Sequence, residues 1–186
     1  MRVIAVPQTK SIAKEYLKVI FFTLLMAIAA NIRVPLFFTP VPLTFQTLVV
    51  FLSVIFCGRR ALFSQALYIA AGAAGFGVFT NGGAGLLYLC GPTAGYLAGF
   101  VLAAFLLPYF IGRSSFFKSS LAVFMLAGLL IDLSGAAWLA AGCGFNASQA
   151  FTCGVLPFLA GDAVKAVLAA LALRATTRMS AASYGS

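Results

Sequence analysis

The chain has 186 residues, of which 63% are hydrophobic and 8% charged, with no histidine, a formal net charge of +9 and a mean hydropathy of +1.09. A soluble domain of this length needs more polar residues to cover its surface, so lipid is the expected solvent. The excess of cations does not read as a nucleic-acid face, because the Lys and Arg residues stand in ones and twos between apolar runs, without an interleaved polar surface.

A hydrocarbon core about 30 Å thick takes about 20 apolar residues per helix. Cutting the chain where Arg, Lys, Pro and Gly clusters interrupt the apolar runs predicts an all-α membrane protein of six helices. They fall near Tyr16 to Pro35, Pro42 to Cys57, Ala61 to Phe76, Leu86 to Ile111, Ser119 to Gly142 and Phe151 to Leu173. The first run is longer than a signal-peptide core and ends in NIRVPLFF rather than at a small-residue cleavage site, so it is expected to stay in the protein. The domain organisation expected is one membrane domain over 16–175, between a cytoplasmic segment 1–15 and a cytoplasmic tail 176–186.

The cations fix the expected orientation, since cytoplasmic loops carry the excess of Lys and Arg. Arg2, Lys10, Lys14 and Lys18 precede or open the first span, Arg59 and Arg60 separate the second from the third, Arg113 and Lys118 separate the fourth from the fifth, and Arg174 and Arg178 follow the last. The connections 36–41, 77–85 and 143–150 carry no Lys or Arg, and Arg33 stands alone near the far end of span one. Both termini are therefore expected in the cytoplasm. Fusing spans two and three would put Arg59 and Arg60 at mid-membrane, at about 2.5 to 3.5 kcal/mol each on insertion scales.

The two uncharged outer regions are the informative ones. RVPLFFTPVPLTFQTL, residues 33–48, holds Pro35, Pro40 and Pro42, which forbid a continuous helix and predict a stiff extended link. GAAGFGVFTNGGAGLLYLCGPTAGY, residues 72–96, holds eight glycines. Irregular backbone at membrane depth is tolerated only where it is buried in protein or lines a cavity, and with Phe76, Phe79 and Tyr88 in the segment the reading is a lid over a pocket that opens outward. Asn81 lies in that segment; its amide both donates and accepts, while the Asn-Gly pair also reads as a turn.

In span five Asp132 is a lone carboxylate in LLIDLSGAAW, and three readings stay open for it: a pair with Lys165, a hydrated cavity, or a protonated acid. Span six contains FLAGDAVKAVLAALAL, where Asp162 and Lys165 stand at i and i+3 in an otherwise uncharged run. They share one helix face and can neutralise each other; a charge inside a membrane helix is also a functional signal by default. Cys57, Cys90, Cys143 and Cys153 lack metal-site spacing, and Cys143 and Cys153 both fall near the outer face, where a bridge between them is one reading and apolar filler the other.

The runs PLTFQ (Pro42, Thr44, Gln46), GPTAGY (Gly91, Pro92, Thr93, Gly95, Tyr96) and GDAVK (Gly161, Asp162, Lys165), in this order and spacing, resemble BioY, the biotin-binding S component family of energy-coupling factor transporters. The likeness is close over about residues 30 to 112 and again in the last helix. It implies a six-helix membrane protein that captures biotin from outside and works with a transmembrane coupling subunit and two ATP-binding subunits, although solitary family members are also known. Biotin is then a transported ligand, and no cofactor is implied. The chain has no G-x4-G-K-[ST] phosphate loop and no nucleophile–base motif, so the expectation is a transporter subunit, with ATP hydrolysis on a partner.

Under that resemblance the candidate ligand residues are Asn81, Asp162 and Lys165, joined by Phe79, Gln46, Tyr88, Tyr96 and Arg33. Asp162 can accept from the ureido N–H groups, and Lys165 can donate to a carbonyl or pair with a carboxylate. Phe79 would pack on the ring or tail, and Arg33 would attract the carboxylate. S components commonly carry A-x-x-x-A in the first helix for docking on the coupling subunit, because small residues permit close helix approach; here Thr23 and Ala27 hold that spacing, with Ala30 nearby.

Overall fold

A computed structural model of the chain describes residues 12–111 and 117–184. Arg2, Lys10 and Arg113, and residues 1–11 of the expected cytoplasmic segment, lie outside them. Helix α1 is Ile12–Asn31. It ends where the Asn31 side-chain amide donates back to the Ala27 carbonyl at 3.0 Å, shortly before the first of the outer prolines.

The proline-rich link is not simply extended. Strands β1 (Arg33–Val34) and β2 (Leu43–Thr44) pair antiparallel, Arg33 opposite Thr44 and Val34 opposite Leu43, and close the link into a loop. Proline disfavours helix in the residue before it, which suits Val34, ahead of Pro35, to a strand. Helix α2 (Gln46–Cys57) therefore begins only after the loop, four residues later than the expected span.

Helix α3 (Ala61–Ala73) follows a single tight turn, Gly58–Arg60, in which Gly58 takes φ 58°, a value glycine adopts without strain. The chain reverses there: Gln46 at the start of α2 bonds Tyr68 near the end of α3, and Ser53 bonds Gln65. A continuous helix would separate Gln46 from Tyr68 by about 33 Å at 1.5 Å per residue. Arg59 and Arg60 thus sit at a helix turn. Arg60 ties it to α1 through Glu15, at 2.8 Å.

From α3 the chain runs through two 3-10 turns, Thr80–Gly82 and Leu86–Cys90, before α4 (Ala94–Ile111) starts. The expected fourth span began at Leu86, but Gly91 and Pro92 delay the α-helix. Helix α5 is Phe117–Gly142. The sixth run divides into α6 (Ala147–Gly154), opened by a capping box between Asn146 and Gln149, and α7 (Leu156–Tyr184). The break at Val155 falls two residues before Pro157, which has no N–H to continue the helical ladder.

Helix α5 packs chiefly on α4 and α7. Gly99 makes the first contact possible: a Cβ there would stand 2.9 Å from the Ile131 Cα, the close small-residue approach that membrane helices use. Among the described residues, four helical stretches are long and apolar enough to cross a membrane, Gln46–Ala73, Ala94–Ile111, Lys118–Gly142 and Ala147–Arg178, the first folded back on itself as described. Helix α1 has comparable length but gathers Lys14, Glu15 and Lys18 into its first two turns.

Two readings from the sequence can be placed on the fold. The Thr23, Ala27 and Ala30 stripe does not stand free for a partner: Thr23 is buried and its hydroxyl donates to the Ser64 carbonyl of α3 at 3.2 Å, Ala30 is fully buried, and Ala27 packs against the core. Thr23 thus joins α1 to α3 within the chain itself. Cys143 and Cys153 are both free thiols, and the Cys153 Sγ lies 3.4 Å from the Phe38 carbonyl.

Candidate ligand-binding cavity

A narrow, partly open cavity lies among α2, α3, α4, α5, α7 and the 74–93 segment. Two aspartates and a lysine line it, Asp162 and Lys165 from α7 and Asp132 from α5, and all three are buried. The i, i+3 spacing read from the sequence does bring Asp162 and Lys165 together: Lys165 Nζ donates to Asp162 Oδ1 at 2.8 Å, with each side chain 7% exposed. Among the described residues, the second oxygen, Asp162 Oδ2, has no hydrogen-bond partner, and neither does Asp132 Oδ2.

Burying ions costs several kcal/mol each even after relaxation, and an ion pair rarely recovers it unless its remaining lone pairs are satisfied. A pair left with an open acceptor is a poor structural device. It suits a site that a ligand completes.

A second group of side chains binds the cavity wall to the glycine-rich segment. Gln46 Nε2 donates to the Tyr68 hydroxyl at 3.0 Å, and that hydroxyl donates to the Val78 carbonyl at 3.2 Å. The Thr44 hydroxyl donates to Gln46 Oε1 at 3.2 Å. Phe79, fully buried, stacks on Tyr88 with centroids 4.6 Å apart and meets Tyr68 edge-on at 5.5 Å. Tyr96 donates from its hydroxyl to the Gly154 carbonyl at 2.7 Å, across the α6–α7 break, and meets Phe158 edge-on.

Of the residues singled out in the sequence, Asp162, Lys165, Gln46, Phe79, Tyr88 and Tyr96 line this one cavity. Asn81 and Arg33 do not. Asn81 is exposed at φ 65° in the turn, and its neighbour Thr80, buried, reaches the cavity in its place; Arg33 is exposed in β1. Sequence reasoning passed over Tyr68, Thr80, Thr93 and Phe158. Thr93 was within reach of it, since it belongs to the GPTAGY run; Tyr68 sits in an apolar run with no distinguishing spacing.

The cavity therefore combines unpartnered carboxylate acceptors, one ammonium and a set of aromatic faces. Its chemistry fits a ligand with N–H donors at a polar end, a carbonyl or carboxylate, and an apolar body.

Comparison with known proteins agrees. The chain is 37% identical to a probable biotin transporter BioY of Pyrococcus horikoshii, across 86% of this chain and 93% of that protein. It is 36% identical to the biotin transporter BioY of Thermotoga maritima, across 85% and 92%. A crystal structure of the S-component for biotin from an ECF-type ABC transporter superimposes with a TM-score of 0.82 over 89% of this chain and 92% of that one, at 24% identity, and so shares the fold. The BioY family itself matches residues 5–182, nearly the whole sequence including every side chain of the cavity, and the chain belongs to that family.

Proposed function

We propose that the chain takes up biotin: it captures the vitamin in the cavity under the 74–93 segment and passes it inward. The observation that carries this reading is the buried Asp162–Lys165 pair, with one carboxylate oxygen still open, lining the cavity of a BioY-family chain. Asp162 receives a ureido N–H, Lys165 meets a carbonyl or the carboxylate, and Phe79, Tyr88 and Tyr96 enclose the ring and tail. Asn81 joins them when the segment closes on the ligand, since the neighbouring Thr80 already reaches the cavity.

The protein is a multi-pass membrane protein of a transporter family and not an enzyme. We infer six membrane crossings, α1 to α5 and the α6–α7 run, with both termini in the cytoplasm of a prokaryotic cell. Residues 16–175 form the membrane domain. The alternating placement of the cations supports this orientation. A coupling subunit and two ATP-binding subunits supply the energy, because the chain has no phosphate loop. A stand-alone or ion-coupled carrier is the second reading, favoured by the unpartnered Asp132 carboxylate.

Equilibrium dialysis of the purified chain tests capture, and absence of saturable biotin binding by folded protein would remove it. Uptake by cells expressing the chain with and without the three partner subunits then separates the two modes. For orientation, single cysteines at Ser148 and Thr177, both exposed, in a cysteine-free background are expected to react with an impermeant reagent in intact cells at Ser148 only.

A further inference from the structure

Asp132 belongs to no run shared with the resemblance and has no hydrogen-bond partner for its Oδ2, yet it is 3% exposed and lines the cavity. Its surroundings explain how it meets Asp162. Gly128 stands one turn earlier on α5, and a Cβ there would lie 3.5 Å from the Asp162 Cβ and 3.7 Å from its Oδ2, so Asp162 packs directly on α5. Residues four apart share a helix face, and Asp132 and Asp162 line the same cavity. The titratable groups around them are Lys165, committed to Asp162 Oδ1, and Tyr96, whose hydroxyl donates to Gly154. Two carboxyl groups thus face one ammonium, and each has an oxygen without a donor.

We infer that Asp132 is a second ligand contact, and that the open oxygens of Asp132 and Asp162 take the two N–H groups of one ureido ring. The inference rests on the biotin reading above. It gives each orphaned oxygen a donor, and a ring inserted between the carboxyl groups also separates like charges. An empty site of this kind costs stability, so the residue is expected to oppose folding in the absence of ligand.

The test measures affinity and ligand-free melting for the wild type, Asp132→Ala and Asp132→Asn, with biotin and with its two singly N-methylated ureido analogues. Asp132→Ala is expected to weaken biotin binding at least tenfold while melting no lower than the wild type. Asp132→Asn, which keeps an acceptor oxygen, is expected to lose less. The analogue whose methyl replaces the N–H facing Asp132 is expected to bind Asp132→Ala as well as it binds the wild type, or better. An Asp132→Ala protein that binds biotin within threefold of the wild type overturns the inference, as does a loss of equal size for biotin and both analogues. Failure of the wild type to bind biotin would instead remove the functional reading itself.

Discussion

The Phe79 ring occupies the space that a side chain on Gly72 would need. Two further rings hold it there, Tyr88 stacked on one face and Tyr68 at its edge, while a hydrogen bond from Gly85 N–H to the Gly72 carbonyl at 2.7 Å ties the segment to the end of α3. The glycine is thus a socket for an aromatic wall of the cavity, which gives a packing reason for at least one of the eight glycines in the segment.

Gly72→Ala is therefore expected to expel Phe79, at about 1 to 3 kcal/mol of overpacking, and to weaken biotin binding by displacing that wall. Phe79→Leu in the same chain should recover much of the stability. Urea unfolding and ligand titration of the single and double variants check both, and an unchanged Gly72→Ala protein would mean that the ring has room to move.

Tyr68→Phe removes one hydroxyl from a relay that joins α2, α3 and the lid segment. Gln46 Nε2 and the Val78 carbonyl each lose a bond, and stranding buried polar groups costs about 1 to 3 kcal/mol. The variant is expected to melt lower, and hydrogen exchange in residues 76–90 is expected to rise more than in α4 or α5. Uniform exchange would place the loss in the helix pair alone.

Glu15 lies one residue ahead of the proposed first span and bonds Lys18 at 2.9 Å and Arg60 at 2.8 Å. The hydrogen bond from Lys18, with Arg60 adding to it, holds its carboxyl below the ordinary value near 4.5. A carboxyl whose folded value is depressed contributes stability above its unfolded value and loses it as pH falls through the folded one. Glu15→Gln is accordingly expected to melt below the wild type at pH 7, with the gap closing below about pH 4. A gap that persists at pH 3 would show that packing, rather than charge, is what Glu15 supplies.

The helices and the ionic centre of the cavity were legible because both rest on short-range rules. Apolar run length and the placement of cations marked the helices, and i, i+3 spacing put Asp162 beside Lys165. The α6–α7 break carried a sequence signal too, Pro157. What sequence could not carry depends on which faces meet. Thr23 and Ala30 have the composition of a docking stripe, yet both are buried within the chain itself, Thr23 against α3. Asp132 could not be placed in the same cavity as Asp162 until α5 and α7 were seen to pack together. Asn81 and Thr80 are adjacent, and only the left-handed turn at Asn81 decides which of them faces the cavity.

The functional weight of the ionic pair can be separated from its structural weight. If Asp162 and Lys165 served only each other, removing one would strand the other charge and destabilise the protein, whereas removing both would restore stability and leave binding intact. Their geometry argues otherwise, because the 2.8 Å contact uses one carboxylate oxygen and leaves Oδ2 open in the cavity. Asp162→Asn and Lys165→Met are each expected to weaken biotin binding more than tenfold, about 1.4 kcal/mol or more. The double variant is expected to fold, because no unpaired partner remains, and to bind no better than the worse single variant. Asn81→Ala should cost less, since Asn81 is exposed in the ligand-free protein and water or backbone can replace its amide. Affinity and melting temperature measured together on the four proteins decide the matter. Near-normal affinity in the double variant would make the pair a structural one and move the polar contacts to Gln46, Thr80 and Asp132.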